Sequence, residues 1–410
     1  MAAPDILPRL VAPHMVRAAK VMPVVVLGGA RQTGKSTLAR EFVGERGLYT
    51  TLETPAVLGR AQAEPETFVG QADKLVIDEV QRAPDLLLAI KTAVDGDHPR
   101  RPGRFILTGS ANLLLMKRVR ESLAGRASYI TLHPLTRREQ LGLGSAGLWS
   151  ELLATDPKRW RDLLLAQEAP EEDWRDLARR GGYPPAALGI RDDGNRWLWF
   201  DGYFRTYLQR DIPGISAVEN VPDFDKVLRA ITIRIGTIVN QTQMARDFTI
   251  PQSTVQRYVN VLETSYQLVR LPAYTVSRTR QLVKSPKYYW NDTGFALALA
   301  SERKPRGEHL ENVVVHDLLA WRDAQVLPPR VCYWRTSKGY EVDLVIETTD
   351  LVLPIEVKTT AQPSTKDLAS MRVFLDEYGD RARAGLVLHT GRETFWIAER
   401  VLATPWWRVI

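Results

Sequence analysis

The 410-residue chain is longer than a single hydrophobic core usually supports, so about two to four domains are expected. Its 25% charged and 44% hydrophobic residues are ordinary globular proportions and exclude a disordered or collagen-like class. A formal net charge of +7 favours polyanionic partners such as DNA or RNA, and the lone Cys332 excludes both a disulfide framework and a cysteine-based zinc site.

No apolar run follows a basic start, and no stretch of roughly 18 uncharged apolar residues occurs. A cytoplasmic protein without a membrane partner is therefore expected. The first structured signal is an apolar run, Val24 to Leu27, that leads into Gly29-Ala30-Arg31-Gln32-Thr33-Gly34-Lys35-Ser36-Thr37 and then a helix-like stretch. Strand, glycine loop and helix in this order satisfy the pattern G-x-x-x-x-G-K-S/T from Gly29 to Ser36. Glycines let backbone N–H groups turn inward around phosphate oxygens, and the helix N-terminus faces the same anions. Lys35 is expected to neutralise the β- and γ-phosphates of ATP, and Ser36 to ligate Mg²⁺.

A second apolar strand, from Lys74, ends on Asp78-Glu79, the form of a Walker B strand. Asp78 is expected to hold Mg²⁺, and Glu79 to orient and deprotonate the attacking water. A third strand, Arg104 to Thr108, runs into Gly109-Ser110-Ala111-Asn112 and is expected to lie between the two Walker strands. Ser110 is the candidate γ-phosphate sensor, with Thr108 and Asn112 beside it. Arg126, just before the next strand, is a candidate arginine finger for a neighbouring subunit's ATP in a homo-oligomer, or else a helix cap or partner of Glu121. Reading guanine needs an N/T-K-x-D strand end, and Thr365-Lys366-Asp367 is incomplete and far outside this region, so ATP is expected rather than GTP.

From Leu141 to Arg210 the periodicity turns helical and suggests a lid or linker. Within it, Trp197, Phe200, Phe204, Tyr207 and Leu208 form an aromatic stripe of the kind that usually builds core. The stretch from Ile238 to Tyr274 reads as helix (Gln243 to Phe248), turn (Ile250-Pro251), helix (Gln252 to Glu263) and strand, the order of a winged helix-turn-helix. Ser253, Thr254, Gln256 and Arg257 are the candidate DNA contacts, although such modules also dock proteins.

Further along, Glu311 sits on an amphipathic helix, Asp343 on a following strand, and Glu356 and Lys358 two apart on one face of the next. Acid, then E-x-K, with a glutamate on the preceding helix is the pattern of the PD-(D/E)-x-K nuclease fold, in which carboxylates hold a divalent metal on the scissile phosphate. Glu308 competes with Glu311 for the helix position, and His389 is expected to be structural.

The strings "GARQTGKST", "LVIDEVQ", "ILTGSANLLL", "SLAGRA", "GGYPPA", "YLQRDI", "YYWNDTGF", "YEVDLVIE" and "PIEVK" together resemble the bacterial and archaeal AAA-type ATP-binding proteins with a C-terminal restriction-endonuclease-like domain of unknown function. Family members commonly carry "FEN" where this chain has Leu310-Glu311-Asn312, and "DTGL" where it has Asp292-Thr293-Gly294-Phe295. The resemblance implies ATP hydrolysis, a nucleic-acid-linked role and ring assembly. The expected α/β architecture is a P-loop ATPase domain (1–140), a helical lid or linker (141–225), a winged helix-turn-helix (226–285) and a nuclease-like domain (286–410). The expected function is a Mg²⁺-dependent ATPase that couples its nucleotide state to DNA. Two alternatives stand beside it: an ATP-dependent nuclease, and a nucleotide-gated regulatory or scaffold protein.

Overall fold

The computed structural model describes residues 6–44, 47–109, 121–168, 170–207, 218–275 and 285–410. Five short strands rich in β-branched residues, β1 (Val24–Gly28), β2 (Gly47–Thr51), β3 (Lys74–Asp78), β4 (Phe105–Thr108) and β5 (Ala127–Thr131), form one parallel sheet in the order β2-β3-β4-β1-β5. Alternate side chains feed two cores, as the strand period of two requires. Val25, Leu27, Val76 and Ile106 pack against the helices Ala12–Val21 and Lys35–Glu41, while Val24, Val26, Leu75, Ile77 and Phe105 meet Leu86–Asp95 on the other face. The strand from Arg104 thus lies between the two Walker strands, where the sequence placed it.

The helices that follow do not form an isolated linker. Trp149, Trp160 and Trp174, from Trp149–Ala154, Trp160–Leu165 and Trp174–Arg180, are buried in one continuous core with Leu344, Ile355, Leu388 and Leu402 of the last sheet. The Leu148 N–H donates to the Val409 carbonyl (3.0 Å), and Arg137 donates to that of Ile410 (2.8 Å). The middle segment therefore packs on the last sheet and is hydrogen-bonded to the terminal helix Trp406–Val409 and Ile410.

Helices Asp193–Thr206, Val221–Ile233, Gln241–Phe248 and Gln252–Thr264 lead to an antiparallel pair, β6 (Leu268–Leu271) and β7 (Lys287–Trp290). Asn240 caps Gln241–Phe248 by accepting from the Gln243 N–H, and Thr249 in the left-handed region ends it, so both helices of this unit run slightly longer than the sequence pattern suggests.

After helices Thr293–Ala300 and Gly307–Asp323 come β8 (Arg330–Arg335), β9 (Glu341–Glu347), β10 (Val352–Val357), β11 (Gly385–His389), β12 (Phe395–Ala398) and β13 (Val401–Pro405). They form a mixed sheet ordered β12-β13-β11-β10-β9-β8, with helix Ala369–Tyr378 crossing between the parallel neighbours β10 and β11. Asn312 fixes β7 to helix Gly307–Asp323 by accepting from the Trp290 N–H (2.7 Å) and donating to its carbonyl (3.0 Å) and to Thr293 (2.8 Å).

Candidate functional site

The loop between β1 and helix Lys35–Glu41 is shaped by close approach. Gly29 has φ 147°, and a Cβ there would come within 2.4 Å of the Leu132 carbonyl oxygen, so only glycine fits. Gly34 (φ 94°) turns the chain into the helix, and Thr33 Oγ1 donates to the Ala30 carbonyl (3.0 Å). Arg9 straps the loop from outside, donating to the Thr33 carbonyl (2.8 Å), to the His133 carbonyl (2.8 Å) and to Glu139 (3.0 Å). Glu139 also closes a capping box with Thr136. A buried charged pair thus sets the loop's position.

Lys35 folds back over the loop and donates to the carbonyls of Gly29 (3.1 Å) and Ala30 (2.7 Å). Burial lowers its pKa to about 8 against the opposing pull of Glu79 and Asp78. Carbonyls are weak holders of an ammonium, so phosphate oxygens can displace them.

Asp78, at the end of β3, is buried and gathers three hydroxyls: Ser36 (3.0 Å), Tyr49 (2.6 Å) and Thr108. Burial and the neighbouring Asp78 push the Tyr49 phenol up to about 12. Ser36 and Asp78 fit a divalent cation, because a hydroxyl and a carboxylate oxygen already stand side by side as hard donors. Glu79 takes the left-handed conformation (φ 59°), which directs it out of the strand, and Gln81 donates to its carboxylate. The Glu79 N–H donates to Thr108 Oγ1 (3.2 Å), so the third strand is tied directly to the Walker B turn.

These groups open onto a cleft of about 770 Å³, lined on one wall by Arg31, Gln32, Gly34, Lys35, Ser36, Thr37, Glu53 and Glu79. The facing wall is Pro184, Pro185 and helix Asp193–Thr206, through Trp199 and Tyr203, with Tyr207 just beyond. The volume falls within the roughly 300–1,000 Å³ usual for a small-ligand pocket. Of the aromatic stripe, Phe200 is buried away from this cleft and Tyr207, though buried, borders it; Trp199 and Tyr203, on the same helix but outside the stripe, line it as well. Tyr266 comes so close to Gly28 that a Cβ there would lie 2.6 Å from its hydroxyl.

Ser110 and Asn112 lie outside the described residues, as does Leu208. Arg126 stands at the start of β5, where its carbonyl accepts from the Val24 N–H (3.1 Å), at the end of the sheet away from the phosphate loop. Its guanidinium forms a two-pronged pair with Asp95 (2.6 and 2.8 Å) and donates to the Ala124 carbonyl (2.9 Å).

On helix Gln252–Thr264, Ser253 and Gln256 are exposed, Thr254 and Arg257 are half-buried, and Val255, Tyr258, Val259 and Leu262 face the core. Gln256 donates to Asn260 (2.9 Å), and Arg257 pairs with Glu219 (3.0 Å).

In the C-terminal segment Asp343 stands beside both Glu311 and Glu356. The Asp343 carboxylate accepts from the Val357 N–H (2.9 Å), and Lys358 donates to Glu356 (3.0 Å). Burial, then the adjacent Asp343, raises Glu311 to about 7 and Glu356 well above the usual carboxylate range. A lysine that no local pattern marks joins them. Lys287 of β7 reaches Glu341 (2.7 Å) and Glu311 (3.3 Å), and Tyr289 donates to Glu311. Burial works against the charge on Lys287, but Glu311, Asp343 and Glu341 outweigh it and hold its pKa above the ordinary value. Among the described residues no three His, Cys, Asp or Glu side chains are arranged to hold a metal ion. A second ammonium besides that of Lys358 stands among these carboxylates. His389 accepts from the Gly391 N–H (2.9 Å) and meets the Glu393 carbonyl (3.0 Å).

Residues 22–141 match the family model of the AAA domain. The first unit is thus an AAA-type ATP-binding domain of P-loop fold. Two domains of unknown function, DUF8612 and DUF4143, match residues 171–306 and 306–409. An uncharacterized protein of Mycobacterium tuberculosis is 29% identical over 404 residues, covering 96% of this chain and 82% of its own length. One from Haemophilus influenzae is 22% identical over 381 residues, covering 87% of each. Among solved structures, the Walker-type ATPase PABY2304 of Pyrococcus abyssi is 17% identical with a TM-score of 0.43, covering 72% of this chain and 99% of that one. The Aeropyrum pernix Orc1 protein in complex with DNA is 15% identical with a TM-score of 0.31, over 73% and 94%. Among the described residues no helix is long and apolar enough to cross a membrane.

Proposed function

We propose that the chain is a Mg²⁺-dependent ATPase whose nucleotide state governs engagement of DNA by the helix-turn-helix unit, read as winged, and by the C-terminal unit. The observation that carries this reading is the convergence of Lys35, Ser36, Asp78 and Glu79 on one cleft, whose far wall belongs to the helices that lead into the DNA-binding candidate. Lys35 leaves its two carbonyls for the β- and γ-phosphates. Ser36 and Asp78 hold the Mg²⁺, which when bound screens phosphate charge. Glu79 takes a proton from the attacking water, and Ser110 is proposed to sense the γ-phosphate. Tyr266 beside Gly28 supplies a route by which phosphate binding moves the second unit.

Nuclease action is the weaker reading, because Lys287 already pairs with Glu311 and Glu341 at the acidic centre. The test is ATP turnover measured alone and with single-stranded, duplex and branched DNA, beside Glu79→Gln. That variant should lose roughly 10²–10⁴ in turnover while retaining bound ATP, and only the wild type should respond to DNA. Normal hydrolysis by Glu79→Gln would remove Glu79 from its role. Turnover indifferent to every DNA, with no DNA retardation, would replace the DNA-coupled reading with the scaffold alternative.

A further inference from the structure

Lys287 and Tyr289 are two apart on β7 and so share a face, and that face is held against helix Gly307–Asp323 by the Asn312 clamp on Trp290. The consequence is a lysine driven into a carboxylate group from a different structural unit. Its side chain is only 4% exposed, and that of Glu311 12%. Gly236 closes the approach from above: its N–H donates to the Tyr288 carbonyl (2.9 Å), and a Cβ on it would lie 3.4 Å from Glu311 Oε2. Glu356 and Asp343 are meanwhile served by Lys358 and by the Val357 N–H. Every acid of the expected metal set is thus already matched by a donor of the protein.

We propose that Lys287 is the resident cation of the C-terminal acidic centre, a tethered ammonium that occupies the place of a divalent metal and keeps the centre metal-free. This rests on the nuclease-like reading of the C-terminal unit. A lysine does part of what the metal would do, gathering carboxylates that otherwise repel, but it offers no open coordination position for a phosphate or water. Because it arrives on β7, movement of the β6–β7 unit away from helix Gly307–Asp323 would withdraw the ammonium from Glu311 and Glu341.

The test is Mn²⁺ titration of the full nucleotide-free chain, followed by electron paramagnetic resonance. It uses wild type, Glu356→Gln, Lys287→Gln, which keeps donors to Glu311 and Glu341, and Lys287→Met, which keeps length without charge. Wild type should show no Mn²⁺ site that Glu356→Gln removes. A Lys287 variant that retains the wild-type circular dichroism should bind Mn²⁺ roughly tenfold or more tightly, and adding Glu356→Gln should abolish that gain. ATP turnover should not change, since Lys287 lies outside the nucleotide cleft. A Glu356-dependent Mn²⁺ site in wild type overturns the tethered cation while supporting the nuclease-like reading. No such site in wild type or in either folded Lys287 variant overturns both. If neither variant folds, nucleotide-free wild type plus Lys287→Arg decides: a Glu356-dependent site in either refutes the proposal, and none in both upholds it.

Discussion

Two lysines stand among carboxylates in this molecule, and they are held in opposite ways. Lys35 faces a cleft of about 770 Å³ and is retained by two backbone carbonyls, partners that an incoming phosphate can replace. Lys287 is enclosed and retained by two carboxylates, with a tyrosine and a backbone turn closing over it. The first arrangement is short of charge on its ligand side and open; the second is matched and closed. A positive group near acids therefore marks a binding site only when its present partners are weaker than the ligand's oxygens would be.

The largest effect that could break this comparison concerns what completes the open site. The cleft receives no arginine from the start of β5, because Arg126 lies at the other end of the sheet and is paired with Asp95. If a second copy supplies that residue, Arg126→Ala should lower turnover by roughly 10³–10⁵ with little change in ATP affinity. Mixing it with Lys35→Ala should restore part of the activity, since each chain then supplies what the other lacks. Full activity of Arg126→Ala would leave the Asp95 pair as a structural tie.

The next effect follows from the weak hold on Lys35. With burial lowering its pKa to about 8, Lys35 is largely neutral at pH 9. Bound phosphates favour its charged form, so nucleotide binding above about pH 8 takes up a proton. Affinity should then fall as pH rises through that value, by at most about tenfold per pH unit. The same depressed pKa costs the folded chain stability below about pH 8, and the cost fades as pH rises toward the ordinary lysine value. Calorimetry of ATP binding at pH 9 in buffers of different ionisation heat reads the proton directly. Binding enthalpies independent of buffer would mean that Lys35 is already charged.

The contrast between the two sites also marks where sequence is legible. Gly29 to Ser36 and Asp78-Glu79 are local patterns, and chain direction with loop length puts them at the same sheet edge. Strand spacing likewise puts Glu356 and Lys358 on one face, and the PD-(D/E)-x-K pattern adds Asp343 and the helix residue Glu311. Tyr49, Arg9 and Lys287 carry no such mark. Each acts on a partner remote in sequence, Asp78, Glu139 or Glu311, and no period of 2 or 3.6 links residues across separate elements. Lys287 also falls just past the expected boundary at 285, whereas its strand pairs back with β6. Helical periodicity found the aromatic helix but could not say that Trp199 and Tyr203 would border a nucleotide cleft, because core and pocket walls use the same spacing.

The smallest effect sharpens the comparison at the helix Gln252–Thr264. Arg257 is paired with Glu219 at 3.0 Å, but the two side chains are 36% and 74% exposed, unlike the enclosed Lys287 pair. An exposed pair of this kind contributes only about 0–1 kcal/mol, so a DNA phosphate can take the guanidinium from Glu219. Arg257→Ala should therefore weaken duplex binding and lower the slope of log affinity against log salt by about one unit. Glu219→Ala frees the same guanidinium and should move affinity the other way without lowering the slope. Affinities measured across a salt series separate the two. If both variants follow wild type at every salt concentration, this helix face docks protein, and Ser253, Thr254 and Gln256 lose their role as DNA contacts with it.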